Sequence, residues 1–137
     1  MNYIDKVREQ IFNTIAIDFD GVIHKNSKGY HDGSIYDEPL EGTKEALKYL
    51  SEKYKLVIFT CKATKDRPLL DGKDGITLIW EWLEKWGLKD YISEITEIKP
   101  RALFYIDDKG ITFTDWFNTL MEIQRFEHLS KFDITKY

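Results

Sequence analysis

The sequence predicts an α/β domain built on a parallel sheet, and three observations lead to this fold class. The chain contains three apolar, β-rich runs, TIAIDF, KLVIFT and ALFYI, at residues 14–19, 55–60 and 102–106. Segments with the apolar spacing of helices lie before, between and after these runs. Continuous apolar strands that alternate with helices are typical of a parallel sheet covered on both faces. The predicted fold is therefore a Rossmann-like three-layer α/β/α sandwich with a central parallel sheet.

Capping residues and apolar spacing place the helices. Helices are predicted at residues 3–12, 43–51, 76–86 and 115–126, and a further short strand at 91–95. Five apolar residues recur at helical spacing in the third helix: Ile76, Ile79, Trp80, Leu83 and Trp86. Gly87 is suited to end this helix, and Asp115 is suited to cap the start of the fourth.

The chain length suits one domain. A chain of 137 residues can bury one hydrophobic core. We expect one domain over residues 1–137, with its core at about 14–126 and a flap at about 21–40, where Gly, Pro and polar residues accumulate. The flap and the polar loop at 61–75 are both too short to encode a separate cap domain.

Composition excludes several classes of protein. The net charge is −4, so no general basic field is present to hold a long nucleic acid. No apolar run reaches the ~18–20 residues of a membrane span, and the amino terminus lacks the pattern of a signal peptide. One cysteine and three scattered histidines make no internal disulfide and no zinc pattern. We therefore expect a cytoplasmic protein without a membrane partner.

Acidic and hydroxyl side chains follow the three strongest strands. Asp18 and Asp20 end the first, Thr60 ends the second, and Asp107 and Asp108 end the third. Because ligands bind outside the carboxyl ends of parallel strands, these ends are expected to form one functional rim. Residues i and i+2 of an extended segment point to the same side, so both carboxylates of the first strand can face that rim.

Clustered carboxylates suggest a bound cation. Two carboxylates on one side repel each other, and a hard divalent cation such as Mg²⁺ relieves the repulsion. The alternative is that Asp18 and Asp20 are only capping or turn residues before Gly21. A second acidic pair at the end of another apolar strand favours the metal site.

These motifs resemble those of the haloacid-dehalogenase-like (HAD) phosphatases. DFDGV at residues 18–22 resembles the first motif of that superfamily, Thr60 the second and YIDD at 105–108 the fourth. The resemblance covers about residues 14–118. KPRALFYIDD at 99–108, with GVIH in the flap, is similar to the short capless members found in phages and bacteria.

The resemblance implies roles for the rim residues. Asp18 would be the nucleophile that forms an aspartyl-phosphate, and Asp20 the general acid and base, which requires a raised pKa. Mg²⁺ would be held by Asp18, by Asp20 through its backbone carbonyl, and by Asp107 or Asp108. The Thr60 hydroxyl would hydrogen-bond a phosphoryl oxygen.

The family's phosphate-neutralising lysine has three candidates. Lys99 fits by sequence order, but a strand separates it from the acidic pair, which would leave it ~15–25 Å from the rim. Lys62 lies two residues after Thr60, and Lys109 directly follows Asp108. The sequence leaves the choice open.

The resemblance implies a Mg²⁺-dependent phosphohydrolase acting on a phosphate monoester. Gly21, His24, Cys61 and Lys109 are the further candidates for substrate contact. The expected partner is a small phosphorylated substrate, and a nucleic-acid end is the alternative. A phosphoryl-transfer enzyme and a non-catalytic binding domain also remain open, as does the choice between a monomer and a homodimer.

Overall fold

Four parallel strands form one sheet in the computed structural model, which describes residues 1–129. The strands are β1 (Thr14–Ile17), β2 (Lys55–Phe59), β3 (Glu94–Thr96) and β4 (Phe104–Ile106). Their order in the sheet is β3-β2-β1-β4, and every neighbouring pair is parallel. Ala16 lies opposite Val57 of β2 and Tyr105 of β4, which fixes the register. The predicted α/β class with a parallel sheet is confirmed.

Four helices accompany the sheet: α1 (Tyr3–Asn13), α2 (Thr43–Ser51), α3 (Gly75–Lys85) and α4 (Trp116–Leu129). The carboxylate of Asp115 accepts a hydrogen bond from the amide of Asn118 (2.8 Å), so it caps α4 as predicted. The strand predicted at 91–95 begins only at Glu94, because residues 89–91 form a 3-10 turn. None of the four helices combines the length and the hydropathy that a membrane crossing requires.

One face of the sheet carries the hydrophobic core. Side chains alternate along a strand, so one face presents a set of aliphatic residues: Ile15, Ile17, Leu56, Ile58 and Ile95. Helices α2 and α3 cover this face with Leu47, Ile79 and Leu83, all of which are buried. Burial of this set removes apolar surface from water and so stabilises the fold.

The opposite face of the sheet is only partly covered, since Ala16 and Val57 at its centre are buried but Tyr105 is 45% exposed. Ala16, Phe59 and Tyr105 border a large cavity, while α1 buries no side chain and the apolar residues of α4 are exposed. The predicted sandwich therefore has one helical layer within residues 1–129. The expectation that residues 102–106 form a buried strand is wrong, since Phe104 is 54% exposed and Ile106 39% exposed. The strand β4 is an edge strand whose only strand neighbour in the described residues is β1.

The flap after β1 folds into a compact loop. His24 forms an antiparallel bridge with Pro39, and the neighbouring backbone is joined by hydrogen bonds from Lys25 to Glu38 and from Leu40 to Ile23 (both 2.9 Å). Buried Ile23 attaches the loop to the core. The flap therefore lies against the carboxyl end of β1.

Replacement of Leu83 tests this assignment of the core. Leu83→Ala should lower the free energy of unfolding by about 2–5 kcal/mol, because the side chain is fully buried. The matched change Leu120→Ala, in exposed α4, should alter it by less than about 0.5 kcal/mol. Urea unfolding followed by circular dichroism measures both values. Equal losses in the two variants would contradict the described packing.

Candidate functional site

The carboxyl ends of three strands bring the predicted acidic and hydroxyl residues to one rim. Asp18 is the first residue after β1, and its amide donates to the carbonyl of Ile106 at the end of β4 (2.9 Å). Thr60 follows β2, and its amide donates to the carbonyl of Thr96 (3.0 Å). An open cavity of about 1090 Å³ begins at this rim and extends over the partly covered face of the sheet. Its lining includes four of the five acidic and hydroxyl residues predicted for the rim: Asp18, Asp20, Thr60 and Asp107.

Three carboxylates form an acidic cluster on one side of the rim. Oxygen atoms of Asp18, Asp107 and Asp108 all lie within 4.8 Å of one another. The pKa of Asp18 is raised from 3.8 to about 6. Burial is the largest cause and repulsion from Asp107 and Asp108 adds to it, while a hydrogen bond from the Phe19 amide and the charge of Lys109 oppose the rise. The ionised form of Asp18 is therefore less favoured than that of a carboxyl group in water, and an added positive charge would stabilise it.

The acidic cluster fits a hard divalent cation. It offers only oxygen ligands, which Mg²⁺ prefers, and each of Asp107 and Asp108 is close enough to Asp18 to share an ion with it. Gly21 permits this approach: it has a φ of 84°, and a β-carbon there would clash with the Asp108 carboxylate. The side chain of Asp20 is outside the cluster.

Asp20 occupies the other side of the rim, between two buried side chains. Its Oδ2 lies 2.8 Å from Lys62 Nζ, and its Oδ1 lies 2.8 Å from His24 Nδ1. Burial raises the pKa of Asp20, but the hydrogen bonds from His24 and Lys62 and the Lys62 charge outweigh it, so the pKa is below its ordinary value. The predicted raised pKa is wrong for the protein without substrate, because the sequence did not reveal these two partners.

The structure separates the three candidate lysines. Lys62 is buried beside Asp20, with a side chain only 6% exposed. Lys109 lies at the acidic cluster, with Nζ 3.9 Å from Asp108 Oδ1. Lys99 extends over the ring of Tyr105 on the open face, with Nζ 4.7 Å from the ring centroid. Lys62 and Lys109 thus accompany the carboxylates of the rim, whereas no ion pair of the described residues links Lys99 to them.

A short 3-10 turn after β2 positions Lys62. The Thr60 hydroxyl oxygen accepts a hydrogen bond from the Lys62 amide (3.2 Å) and caps the turn Cys61–Ala63. The turn directs the lysine side chain toward Asp20 instead of solvent. Thr60 lines the cavity, and its hydroxyl proton can be donated to an acceptor there. Cys61 is exposed and lines the same cavity.

Two of the residues predicted to contact substrate, His24 and Gly21, instead make contacts within the protein. His24 has no exposed surface, so its side chain cannot touch a ligand in the cavity. The Gly21 amide donates to the His24 carbonyl (2.8 Å) and is therefore already used. Both residues support the rim without facing the cavity. His24 contacts the Asp20 carboxylate, and Gly21, which has no side chain, leaves space for the Asp108 carboxylate.

Two residues outside the predicted site hold the loops together. The Arg67 guanidinium donates to the carbonyls of Lys62 and Gly33 (both 3.1 Å), which joins the loop after β2 to the flap. The Trp82 indole of α3 donates to the Asp37 carbonyl (2.9 Å) and so fixes the far side of the flap. The departure of Trp82 from the apolar stripe of its helix was the only signal for this contact.

Comparisons of the chain with family models, with curated proteins and with solved structures give no match. The resemblance described above therefore rests on the motifs alone.

The acidic cluster should make stability depend on pH and on cations. The pKa of Asp18 is raised in the folded protein, so folding favours its protonated form and its contribution to stability is lost as pH rises from about 4 through about 6. In EDTA, wild type should therefore lose stability relative to Asp18→Asn between pH 4 and pH 7.5. Mg²⁺ should reverse this loss at pH 7.5, because it binds the ionised cluster. The midpoints of urea unfolding measure these stabilities. A stability difference between wild type and Asp18→Asn that does not change with pH would contradict the raised pKa.

Proposed function

We propose that this chain is a Mg²⁺-dependent phosphohydrolase that cleaves a phosphate monoester through an aspartyl-phosphate on Asp18. One observation carries the proposal: two carboxylates two residues apart have opposite environments. Asp18 belongs to an acidic cluster suited to a cation, whereas Asp20 is bonded to an ammonium group and an imidazole. Neighbouring carboxylates whose pKa values are shifted in opposite directions suit a nucleophile beside a general acid and base.

Asp18 is suited to attack phosphorus. Its Oδ1 accepts a hydrogen bond from the Phe19 amide (2.8 Å), which fixes the orientation of the carboxylate toward the cavity. One carboxylate oxygen forms a bond to phosphorus while the bond from phosphorus to the leaving oxygen breaks. Asp20 gives a proton to that oxygen, so the leaving group departs as a neutral alcohol.

The second step returns the enzyme to its starting form. Asp20, now ionised, accepts a proton from a water molecule whose oxygen bonds to phosphorus. The bond between phosphorus and Asp18 breaks, and inorganic phosphate leaves. The same carboxyl group thus serves first as acid and then as base.

A bound phosphate would supply the protonated Asp20 that the first step requires. Lys62 pairs with Asp20 in the free protein, and this pair holds the pKa of Asp20 low. A phosphate dianion at the rim would share the Lys62 ammonium and place negative charge near Asp20. Both effects raise the pKa of a carboxyl group. Lys62 is therefore our candidate for the phosphate-neutralising lysine.

The acidic cluster fits Mg²⁺ in charge and in ligand type. Bound there by Asp18 with Asp107 and Asp108, the ion would offset negative charge on the phosphoryl oxygens. The Thr60 hydroxyl and the Lys62 ammonium would hold the phosphoryl group from the other side.

We further propose the capless HAD-like arrangement for this domain. The flap and the loop after β2 form no separate domain above the rim, and the cavity is open. An open site admits a small phosphorylated metabolite and also the phosphorylated end of a larger molecule. The net charge of −4 favours the small substrate, because it offers no extended attraction for a polyanion.

Phosphate release tests the proposed reaction. Wild type should release inorganic phosphate from an aryl phosphate and from members of a metabolite panel, and EDTA should abolish the release. Asp18→Asn should reduce turnover to background, and Asp20→Asn should reduce it about 10²- to 10⁴-fold. Asp71→Asn, an exposed carboxylate outside the rim, is the matched control and should retain full activity. Magnesium binding without turnover on any phosphate ester would support a binding domain instead.

A paired substitution tests the choice of lysine. Lys62→Met should lower kcat/KM about 10- to 100-fold, the loss expected for a hydrogen bond to a charged group. Lys99→Met removes the same charge from the open face and should change kcat/KM less than about threefold. A larger loss in Lys99→Met than in Lys62→Met would assign the role to Lys99.

A further inference from the structure

His24 is buried, yet both of its ring nitrogens are hydrogen-bonded. Nδ1 lies 2.8 Å from Asp20 Oδ1, and Nε2 accepts a hydrogen bond from the Asp37 amide (3.0 Å). The side chain has no exposed surface and lines no part of the cavity. A purely apolar side chain would fill this position without such partners, so the polar contacts call for an explanation.

The two contacts fix the tautomer of His24. A backbone amide can only donate, so Nε2 must carry a lone pair and no proton. In a neutral imidazole the proton then resides on Nδ1, which donates it to Asp20 Oδ1. His24 is therefore a donor toward Asp20 and has no lone pair free at Nδ1 to accept a proton from it.

The ring cannot easily rotate away from this arrangement. It stacks on Phe19, with centroids 5.5 Å apart, and meets the edges of Trp82 (5.6 Å) and Tyr36 (5.2 Å). The Asp37 peptide is held on its other side by the Trp82 indole, which donates to the Asp37 carbonyl (2.9 Å). A continuous path of contacts thus runs from the buried face of α3 through Asp37 and His24 to Asp20.

We infer that His24 is a positioning residue that holds the Asp20 carboxylate by its Oδ1 and so leaves Oδ2 as the oxygen that exchanges a proton with the leaving group. This inference rests on the proposed phosphohydrolase function. Because Oδ1 accepts from the fixed Nδ1–H, a proton on Asp20 is directed to Oδ2, on the side of Lys62 and the cavity. His24 touches no substrate, and it acts only through Asp20.

Dependence on the leaving group distinguishes this role from a merely structural one. Alkyl phosphates need a proton on the departing oxygen, whereas dinitrophenyl phosphate hardly does, since its leaving group is a stable anion. His24→Gln keeps an acceptor near the Nε2 position but no donor at Nδ1. It should lower kcat/KM about 10²-fold for an alkyl phosphate and less than about threefold for dinitrophenyl phosphate.

His24→Asn is the conservative variant. Its amide nitrogen lies at about the reach of Nδ1, so it can still donate to Asp20, and the ratio of the two kcat/KM values should stay within about threefold of wild type. His31→Asn changes an exposed flap histidine and controls for general effects on the flap. Equal losses on both substrates in folded His24→Gln would overturn the positioning role, as would no loss on either.

The ¹⁵N spectrum of labelled histidine separates this inference from the proposed function. Wild type should show a neutral His24 protonated at Nδ1, and Asp20→Asn should shift that resonance. A proton at Nε2 would overturn the inference whatever the activity. Absence of turnover by wild type would overturn the proposed function and the catalytic meaning of His24 with it, while the spectrum would still decide whether His24 donates to Asp20.

Discussion

The carboxylate of Asp20 accepts hydrogen bonds from two side chains that are almost fully removed from water. Each of these side chains belongs to a different loop, His24 to the flap and Lys62 to the turn after β2. Loss of either partner would leave a polar or charged group buried without compensation, which costs more than an exposed pair ever contributes. The interaction therefore joins the end of β1, the flap and the end of β2 into one unit, and the shape of the rim depends on it.

The same interaction separates two carboxylates that the sequence presents as equivalent. Asp18 and Asp20 both follow β1, but the Asp20 carboxylate is hydrogen-bonded to the Lys62 ammonium and the His24 imidazole. Asp18 instead meets Asp107 and Asp108, and its pKa is raised where that of Asp20 is lowered. A short segment of chain thus supplies two chemically distinct groups, because neighbours from other parts of the sequence differ on the two sides of the rim.

The parallel-sheet rule was enough to predict which strand ends converge. It placed Asp18, Thr60 and Asp107 at one edge from apolar runs alone, and the register of β1 with β2 and β4 agrees. The exposure of β4 could not be predicted, because a composition such as ALFYI does not indicate whether a helix will cover it.

The partners of Asp20 were beyond the sequence for a related reason. The position of Lys62 depends on a single capped turn. The position of His24 depends on a contact with Asp37, 13 residues later in the chain, and Asp37 is in turn held by Trp82, a further 45 residues later. Local pattern carries no information about such contacts. The sequence could therefore name Lys62 only as one of three candidates, and it assigned His24 to substrate contact instead of to a contact with Asp20.

The charges at the rim also imply an order of events. Four carboxylates, Asp18, Asp20, Asp107 and Asp108, face two ammonium groups, Lys62 and Lys109. This excess of negative charge would repel a phosphate dianion, and a divalent cation in the acidic cluster would remove the excess. Under the proposed function, the positive charge of Lys62 would then be available to the dianion without a net electrostatic penalty. This balance favours an order in which the cation binds before the phosphate ester, and the ester would then loosen the Lys62–Asp20 pair. Asp20 could then take up the proton that the proposed first step requires.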